Sequence, residues 1–316
     1  MSKIKKISDF KLNSKKVLVR LDLNLPIKNS KILDDSRVKA ALPTINHIVK
    51  KKGIPIIISH FGRPEGKENN KFSLNKIRSC LSRHLKKKVV FCQNCIGPEV
   101  KKTLENVSFG QVVLLENLRF HKGETTNNNN FAKKLTKYCD IYINDAFSSS
   151  HRKHASIDKV AKLLPSGIGI NLEKELYYLN KLLKKPKKPI IAIIGGAKME
   201  NKINLLKSLV EKSNYLILGG GVANTFLKSN NINIGKSIFE KNQLANVIKI
   251  QKNAKKKNCK IILPVDVVVS EKNRNIDILK INKNHQVFDL GKNTISEILK
   301  IINNSRTLVW SGPLGY

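Results

Sequence analysis

The sequence lacks any apolar stretch near the ~20 residues that a membrane-spanning helix requires. It starts with Met1 and three lysines within six residues, and it has no apolar core of a signal peptide there. Hydrophobic residues make up 41% of the 316 residues, an ordinary globular proportion that argues against wholesale disorder. We therefore expect a cytoplasmic protein without a membrane partner.

Cysteine is also scarce, and its odd number of five argues against a disulfide framework. Cys92 and Cys95 form one CxxC pair. No second pair and no histidine pair stands at the spacing of a zinc site. We accordingly predict no metal-ligating residue.

Acidic residues are few, 23 against 60 lysines and arginines, which gives a formal net charge of +37. Such a charge is typical of proteins that bind nucleic acid, so a basic polyanion-binding protein is one alternative. However, 51 of the basic residues are lysines, and they are spread along a chain that is also rich in Asn and Ile. Solvated lysine surfaces are therefore favoured over a nucleic-acid interface.

Short apolar runs alternate with helical patterns, which indicates an α/β fold with mostly parallel sheets. The length is sufficient for two domains. We predict strands over 17–23, 54–59, 112–115, 140–143, 189–194, 215–218, 260–263 and 307–310. We predict helices over 37–51, 131–138, 172–184, 202–210, 222–228, 241–256 and 295–302. Pro186 and Pro189 mark a boundary after the third of these helices.

Arginine is rare, and most of the nine arginines lie in polar motifs beside the apolar runs of the first half. An arginine fork can hold a carboxylate or phosphate by two bonds, which lysine cannot do. Because ligands bind outside the carboxyl ends of parallel strands, these motifs predict a site for a small anion. The alternative for any one of these arginines is a structural ion pair with an acidic residue. The motif residues are Arg20, Asp22, Asn24, Arg37, His60, Arg63, Arg119 and Arg152.

Glycines follow two strands of the second half, at Gly195-Gly196-Ala197-Lys198 and Gly219-Gly220-Gly221. Glycine permits close approach of a ligand to the backbone, and helix N-termini favour phosphate. Lys198 and Lys202 stand one helical turn apart in the predicted helix register. The pattern predicts a nucleotide-phosphate site, although the chain has no P-loop, Rossmann fingerprint or protein-kinase signature.

Taken together in this order and spacing, the motifs resemble phosphoglycerate kinase across all 316 residues. The matching segments are VLVRLDLNLP at 17–26, DDSR at 34–37, SHFGRP at 59–64, LENLRF at 115–120, NDAF at 144–147, HRKHAS at 151–156, GGAK at 195–198, PVD at 264–266 and WSGP at 310–313.

This resemblance implies two doubly wound parallel-sheet domains joined by a helix. Residues 1–171 would form the phosphoglycerate-binding domain, 172–188 the interdomain helix and linker, and 189–316 a truncated nucleotide-binding domain. The implied reaction belongs to glycolysis and is a reversible phosphoryl transfer between 1,3-bisphosphoglycerate with ADP and 3-phosphoglycerate with ATP. It uses Mg²⁺, and the expected state is a monomer.

The resemblance also implies roles for individual residues. Asp22, Asn24, Arg37, His60, Arg63, Arg119 and Arg152 would hold the phosphoglycerate. Lys198 and Lys202 would contact the nucleotide phosphates, with Gly196, Ala197, Gly220 and Gly221 near the nucleotide. Arg37 and Lys198 are the predicted catalytic residues, which would stabilise the transferring group.

The sequence departs from the family pattern at Ser148-Ser149-Ser150, Asn201 and Ser311, where Gly-Thr-Ala, Asp and Asn are usual. It also stops before the family's Gly-Gly-Gly-Asp-Thr/Ser loop, so we expect an incomplete second domain. Three interpretations remain open. They are a kinase whose sequence is a fragment or frameshift product, a decayed phosphoglycerate-binding remnant, and the polyanion-binding protein.

Overall fold

The computed structural model describes residues 4–29, 31–184 and 186–315; Lys185 of the predicted linker lies outside them. The chain divides into two compact units, one up to Leu179 and one from Asn180. The division falls inside the helix Ile170–Lys184, close to where the sequence predicts an interdomain helix. The bounds 1–171, 172–188 and 189–316 and the incomplete second domain stay predictions.

The first unit is built on a parallel six-stranded sheet with the order β5-β6-β4-β1-β7-β8, and a two-stranded hairpin, β2-β3, accompanies it. Residues of β1 alternate between two apolar cores, since Val17 and Val19 pack on one face and Leu18 on the other. Both faces are therefore covered, as in doubly wound sheets. The strands are β1 Lys16–Leu21, β2 Ile27–Lys28, β3 Lys31–Ile32, β4 Ile54–Ile58, β5 Val89–Cys92, β6 Val112–Leu115, β7 Ile141–Asp145 and β8 Ser166–Ile168.

Helices cover this sheet with apolar faces at helical spacing. In α1, the buried residues Val38, Ala41, Ile45 and Ile48 recur every three or four positions and belong to the core on the Val17 face. The helices are α1 Ser36–Lys50, α2 Asn75–Leu85, α3 Pro98–Glu105, α4 Lys122–Thr125, α5 Asn129–Thr136, α6 Phe147–Ser150, α7 Val160–Leu163 and α8 Ile170–Lys184.

The second unit repeats the architecture on a parallel four-stranded sheet, β11-β10-β9-β15. The central strand β9 sends Ala192 and Ile194 into one core and Ile191 and Ile193 into another. Its strands are β9 Ile190–Ile194, β10 Tyr215–Leu218, β11 Lys260–Ile262, β12 Asp266–Val269, β13 Arg274–Asp277, β14 Val287–Leu290 and β15 Thr307–Ser311. Its helices are α9 Ile203–Lys212, α10 Gly220–Ser229, α11 Leu244–Lys256 and α12 Lys292–Asn303.

The predicted α/β class with parallel sheets is confirmed, and each predicted strand lies within two residues of an observed one. The predicted strands do not include β5 and β8 of the first sheet, the hairpin β2-β3 or the antiparallel sheet β13-β12-β14. Two of these strands are weak signals, because β8 has three residues with a central glycine and β13 has one buried residue, Ile276. Among the described residues, no helix is long and apolar enough to cross a membrane.

Candidate active site

The loops after four neighbouring strands carry most of the predicted substrate-binding residues. Strands β6, β4, β1 and β7 lie side by side and run parallel, so their carboxyl ends meet at one edge of the sheet. Asp22 and Asn24 follow β1, His60 and Arg63 follow β4, Arg119 follows β6, and Arg152 lies beyond β7.

A cavity of about 530 Å³ at this edge is lined by three of the predicted arginines, Arg63, Arg119 and Arg152. None of the three forms an ion pair with a carboxylate in the described part of the chain, although Glu65 also lines the cavity. The structural ion-pair alternative therefore does not account for them. Three cations around one cavity favour an anionic ligand. Lys122 and His154 also line it. From the sequence, Lys122 is not singled out, and His154 is named only as part of the HRKHAS motif, without a binding role.

Arg119 is fixed in place but keeps an unsatisfied donor. Its Nη1 donates to the Gly62 carbonyl at 2.6 Å, while its Nε is buried without a hydrogen-bond partner. Burial, followed by the repulsion of Arg152 and Arg20, lowers the pKa of Arg119. A buried donor without a partner costs free energy, which a bound anion would recover.

Asp22 and Arg37 line a second cavity, of about 230 Å³, together with Ser148. Arg37 Nη1 donates to Asp22 Oδ2 at 2.6 Å, and the Ser148 hydroxyl donates to the same oxygen at 2.5 Å. Burial opposes the charged form of Asp22, but the hydrogen bonds from Ser148 and Asn24 N–H, with the charge of Arg37, lower its pKa. Arg37 is thus the one predicted site arginine that forms an ion pair in the described residues.

His60 and Asn24 are held by neighbours at the same edge. Asn24 Oδ1 accepts from the Gly62 N–H at 3.0 Å. His60 is 6% exposed, and its Nδ1 lies 3.0 Å from Arg20 Nη2. Burial, followed by the charges of Arg20 and Arg119, lowers the pKa of His60 to about 3, so its ring is neutral near pH 7.

Two glycine loops meet in the second unit. The Val222 N–H, in the first turn of α10, donates to the Gly196 carbonyl at 3.2 Å. A Cβ on Gly220, whose φ is +59°, would lie 3.2 Å from the backbone of Gly196, and one on Gly221 would strike the Ala197 carbonyl. Only glycine fits this close approach, and the first N–H groups of α10 have no acceptor within the helix.

Lys198 and Lys202 do not lie on one helix as the sequence spacing predicts. Lys198 is exposed in the loop after β9, whereas Lys202 ends the 3-10 helix Glu200–Lys202 that precedes α9. The half-buried Lys202 Nζ donates to the Gly195 carbonyl, and burial lowers the pKa of Lys202. Lys202 therefore lies against the glycine loop, whereas Lys198 is an exposed loop residue whose side chain is not held by a helix.

The described residues contain one group with three metal-ligand atoms close together, Asp35, Cys80 and His84, in the first unit. Asp35 is already bonded to Lys39 and His84, and Arg83 lies 3.9 Å away. A thiol and two cations suit Mg²⁺ poorly, since Mg²⁺ prefers oxygen ligands and substrate phosphates. These side chains therefore do not form a protein-held magnesium site.

Comparison with known proteins places these motifs in a family context. The family model described as phosphoglycerate kinase matches residues 7–316. The phosphoglycerate kinase of Wolbachia sp. subsp. Brugia malayi (strain TRS) is 45% identical over 320 residues, which cover 100% of this chain and 80% of that relative. The phosphoglycerate kinase of Borreliella afzelii (strain PKo) is 43% identical, covering 99% and 81%.

Solved structures agree with the sequence relatives. The phosphoglycerate kinase of Coxiella burnetii superposes with a TM-score of 0.80 at 39% identity, covering 99% of this chain and 81% of that one. The enzyme of Pyrococcus horikoshii OT3 gives a TM-score of 0.86 at 29% identity, covering 98% and 81%.

Proposed function

Since the chain belongs to the phosphoglycerate kinase family, we propose that its basic cavities bind 3-phosphoglycerate and its glycine loops bind the phosphates of ATP. The reaction of the family is reversible phosphoryl transfer between 1,3-bisphosphoglycerate with ADP and 3-phosphoglycerate with ATP. The observation that supports the substrate site most is the cavity of Arg63, Arg119 and Arg152, whose cations lack carboxylate partners among the described residues.

In this proposal, the forks of Arg63, Arg119 and Arg152 hold the phosphate of 3-phosphoglycerate, and His60 and Asn24 orient it. A carboxylate oxygen of the substrate attacks the γ-phosphorus of ATP. The bond between the γ-phosphorus and the β-γ bridging oxygen breaks, and ADP leaves with the negative charge on that oxygen. Because the protein performs no covalent step, its contribution is positioning and charge stabilisation. Arg37 and Lys198 supply positive charge to the transferring group.

On the nucleotide side, Lys202 and the first N–H groups of α10 face the phosphates, with Gly196, Ala197, Gly220 and Gly221 permitting close approach. Magnesium belongs to the nucleotide substrate in this scheme and is bound chiefly by its phosphates.

We further propose that the protein works as a cytoplasmic monomer. A decayed remnant and a polyanion-binding protein are not favoured, because the family match extends over 7–316.

The test is a coupled assay that measures ADP release as a function of 3-phosphoglycerate and ATP. We expect activity from the full 316-residue chain, and a loss of about 10²- to 10³-fold in kcat/KM for Arg37→Ala, as for one donor to a developing charge. Arg274→Ala removes the same charge from an exposed position on β13 and serves as the control. Equal activities for all three proteins would contradict the assignment of Arg37.

A further inference from the structure

A chain of hydrogen bonds links the buried carboxylate of Glu124 to His60 through Ser156 and Arg20. Both oxygens of Glu124 accept from Ser156, from its hydroxyl at 2.6 Å and its N–H at 2.9 Å. The Ser156 hydroxyl accepts from Arg20 Nε at 3.2 Å. Arg20 Nη2 then reaches His60 Nδ1 at 3.0 Å.

The members of this chain are withdrawn from water. Arg20 is 1% exposed, and Glu124 and Ser156 are both 0% exposed. A buried guanidinium and a buried carboxylate lose hydration free energy, which their attraction across the bridging Ser156 recovers only partly, so this arrangement is weak support for stability. The arrangement is more informative about orientation, because Arg20 at one end contacts His60, a predicted substrate-binding residue.

The contact between Arg20 and His60 has only one chemically permitted direction. A guanidinium has N–H donors and no acceptor, so His60 Nδ1 must accept the hydrogen bond. A ring whose Nδ1 accepts carries no proton on that atom. The neutral imidazole therefore has its proton on Nε2, which remains a donor for a ligand.

We infer that Arg20 is a positioning residue that holds His60 in the neutral Nε2–H tautomer, and that Glu124, through Ser156, holds Arg20 in that orientation. This inference rests on the proposed function only where it assigns the Nε2–H donor to 3-phosphoglycerate. Arg20 is 1% exposed and lines neither cavity, so we assign it no direct contact with the substrate. Its Nε, Nη1 and Nη2 donate to the Ser156 hydroxyl, the Leu21 carbonyl and His60 respectively.

The backbone around Ser156 supports this function. Ser156 lies in the π-helix Ala155–Lys159, and its carbonyl accepts from the Tyr142 hydroxyl at 2.5 Å. Glu124 also lies 3.7 Å from His154 Nδ1, which lines the basic cavity. One carboxylate thus contacts two residues of the segment 154–156, which borders the proposed substrate site.

The experiment is ¹⁵N–¹H NMR of the full chain with labelled histidine, which identifies the protonated nitrogen of His60 in the absence of ligand. We expect an unprotonated Nδ1 and a protonated Nε2 near pH 7. In Ser156→Ala and in Arg20→Lys, we expect the two tautomers to exchange, because the fixed donor to Nδ1 is weakened or displaced. A proton on Nδ1 in the wild type would overturn the inference.

The matched control is Ser213→Ala, which removes a buried hydroxyl without a hydrogen-bond partner from the second unit. Calorimetry with 3-phosphoglycerate should show Kd raised about three- to tenfold in Ser156→Ala, which corresponds to about 0.7–1.4 kcal/mol, and unchanged in the control. An unchanged tautomer and Kd in both Ser156→Ala and Arg20→Lys would overturn the inference.

The two readouts separate this inference from the proposed function. A fixed Nε2–H tautomer that is lost in the variants supports the positioning function of Arg20 even if the chain does not bind 3-phosphoglycerate. In that case, the proposed substrate site fails and the positioning chain stands. Conversely, tight binding of 3-phosphoglycerate with His60 protonated on Nδ1 leaves the proposed function intact and rejects the inference.

Discussion

Arg37 Nη1 lies 2.6 Å from Asp22 Oδ2, so the first helix is tied to the end of the first strand at the edge of the sheet where the predicted site lies. The Arg37 side chain is 45% exposed, and a pair this open contributes at most about 1 kcal/mol to stability. Its main effect is therefore geometric. It restricts where a long, flexible cation can present its remaining donors.

Replacing Asp22 by Asn should reduce substrate binding and turnover more than stability. We expect about a tenfold rise in the KM for 3-phosphoglycerate, because Arg37 and Ser148 lose the charged acceptor that orients them. The melting temperature should fall by only a few degrees. Asp35→Asn is the control, since Asp35 pairs with Lys39 at the same end of α1 and lines neither cavity. Equal kinetic losses in both variants would refute a specific effect of Asp22.

Lys202→Met should weaken nucleotide binding selectively. The Lys202 ammonium bonds to the Gly195 carbonyl, and partial burial strengthens its attraction for phosphate. We expect the KM for ATP to rise about tenfold or more, while that for 3-phosphoglycerate changes little. The exposed Lys207 on α9 gives the charge-matched control Lys207→Met. A rise in the 3-phosphoglycerate KM alone would contradict the assignment.

Gly220→Ala should impair both stability and nucleotide binding. Its φ of +59° is unfavourable for alanine by about 1–2 kcal/mol, and the added Cβ would crowd the Gly196 backbone at 3.2 Å. Gly110 also has a positive φ, +86°, but a Cβ added there would meet no atom within 4 Å. Gly110→Ala therefore measures the cost of the backbone conformation without the steric clash. Thermal unfolding should show a larger loss for Gly220→Ala, and only this variant should raise the KM for ATP.

His60 should make the stability of the fold depend on pH between about 6.5 and 5. The folded pKa, about 3, lies below the unfolded value, so the unfolded state binds more protons in this window and stability falls as pH falls. The charged groups that act on His60 are Arg20, Arg119, Asp22 and Arg152. In His60→Gln, the melting temperature should fall less over this window than in the wild type. Parallel pH profiles would count against a neutral buried His60.

The elements that could be predicted from the sequence are those whose apolar runs are long enough to be recognised locally. The strand ends at Asp22, His60 and Arg119 could be placed because a parallel sheet collects its carboxyl ends at one edge. The environment of Arg20 could not be predicted, because its partners Ser156 and His60 are distant in sequence. The burial of Glu124 could not be predicted either, because this residue stands in a short polar segment without a periodic apolar pattern.

The double hydrogen bond between Glu124 and Ser156 sets a rule for recombining this chain with its relatives. The two residues are 32 positions apart, and each is the other's partner inside the core. An exchange of the intervening residues 125–155 preserves the bond only if both ends and the π-helical turn around Ser156 are kept in register. A crossover that separates the two would leave one polar group without its partner, so viable chimeras should inherit Glu124 and Ser156 as a pair.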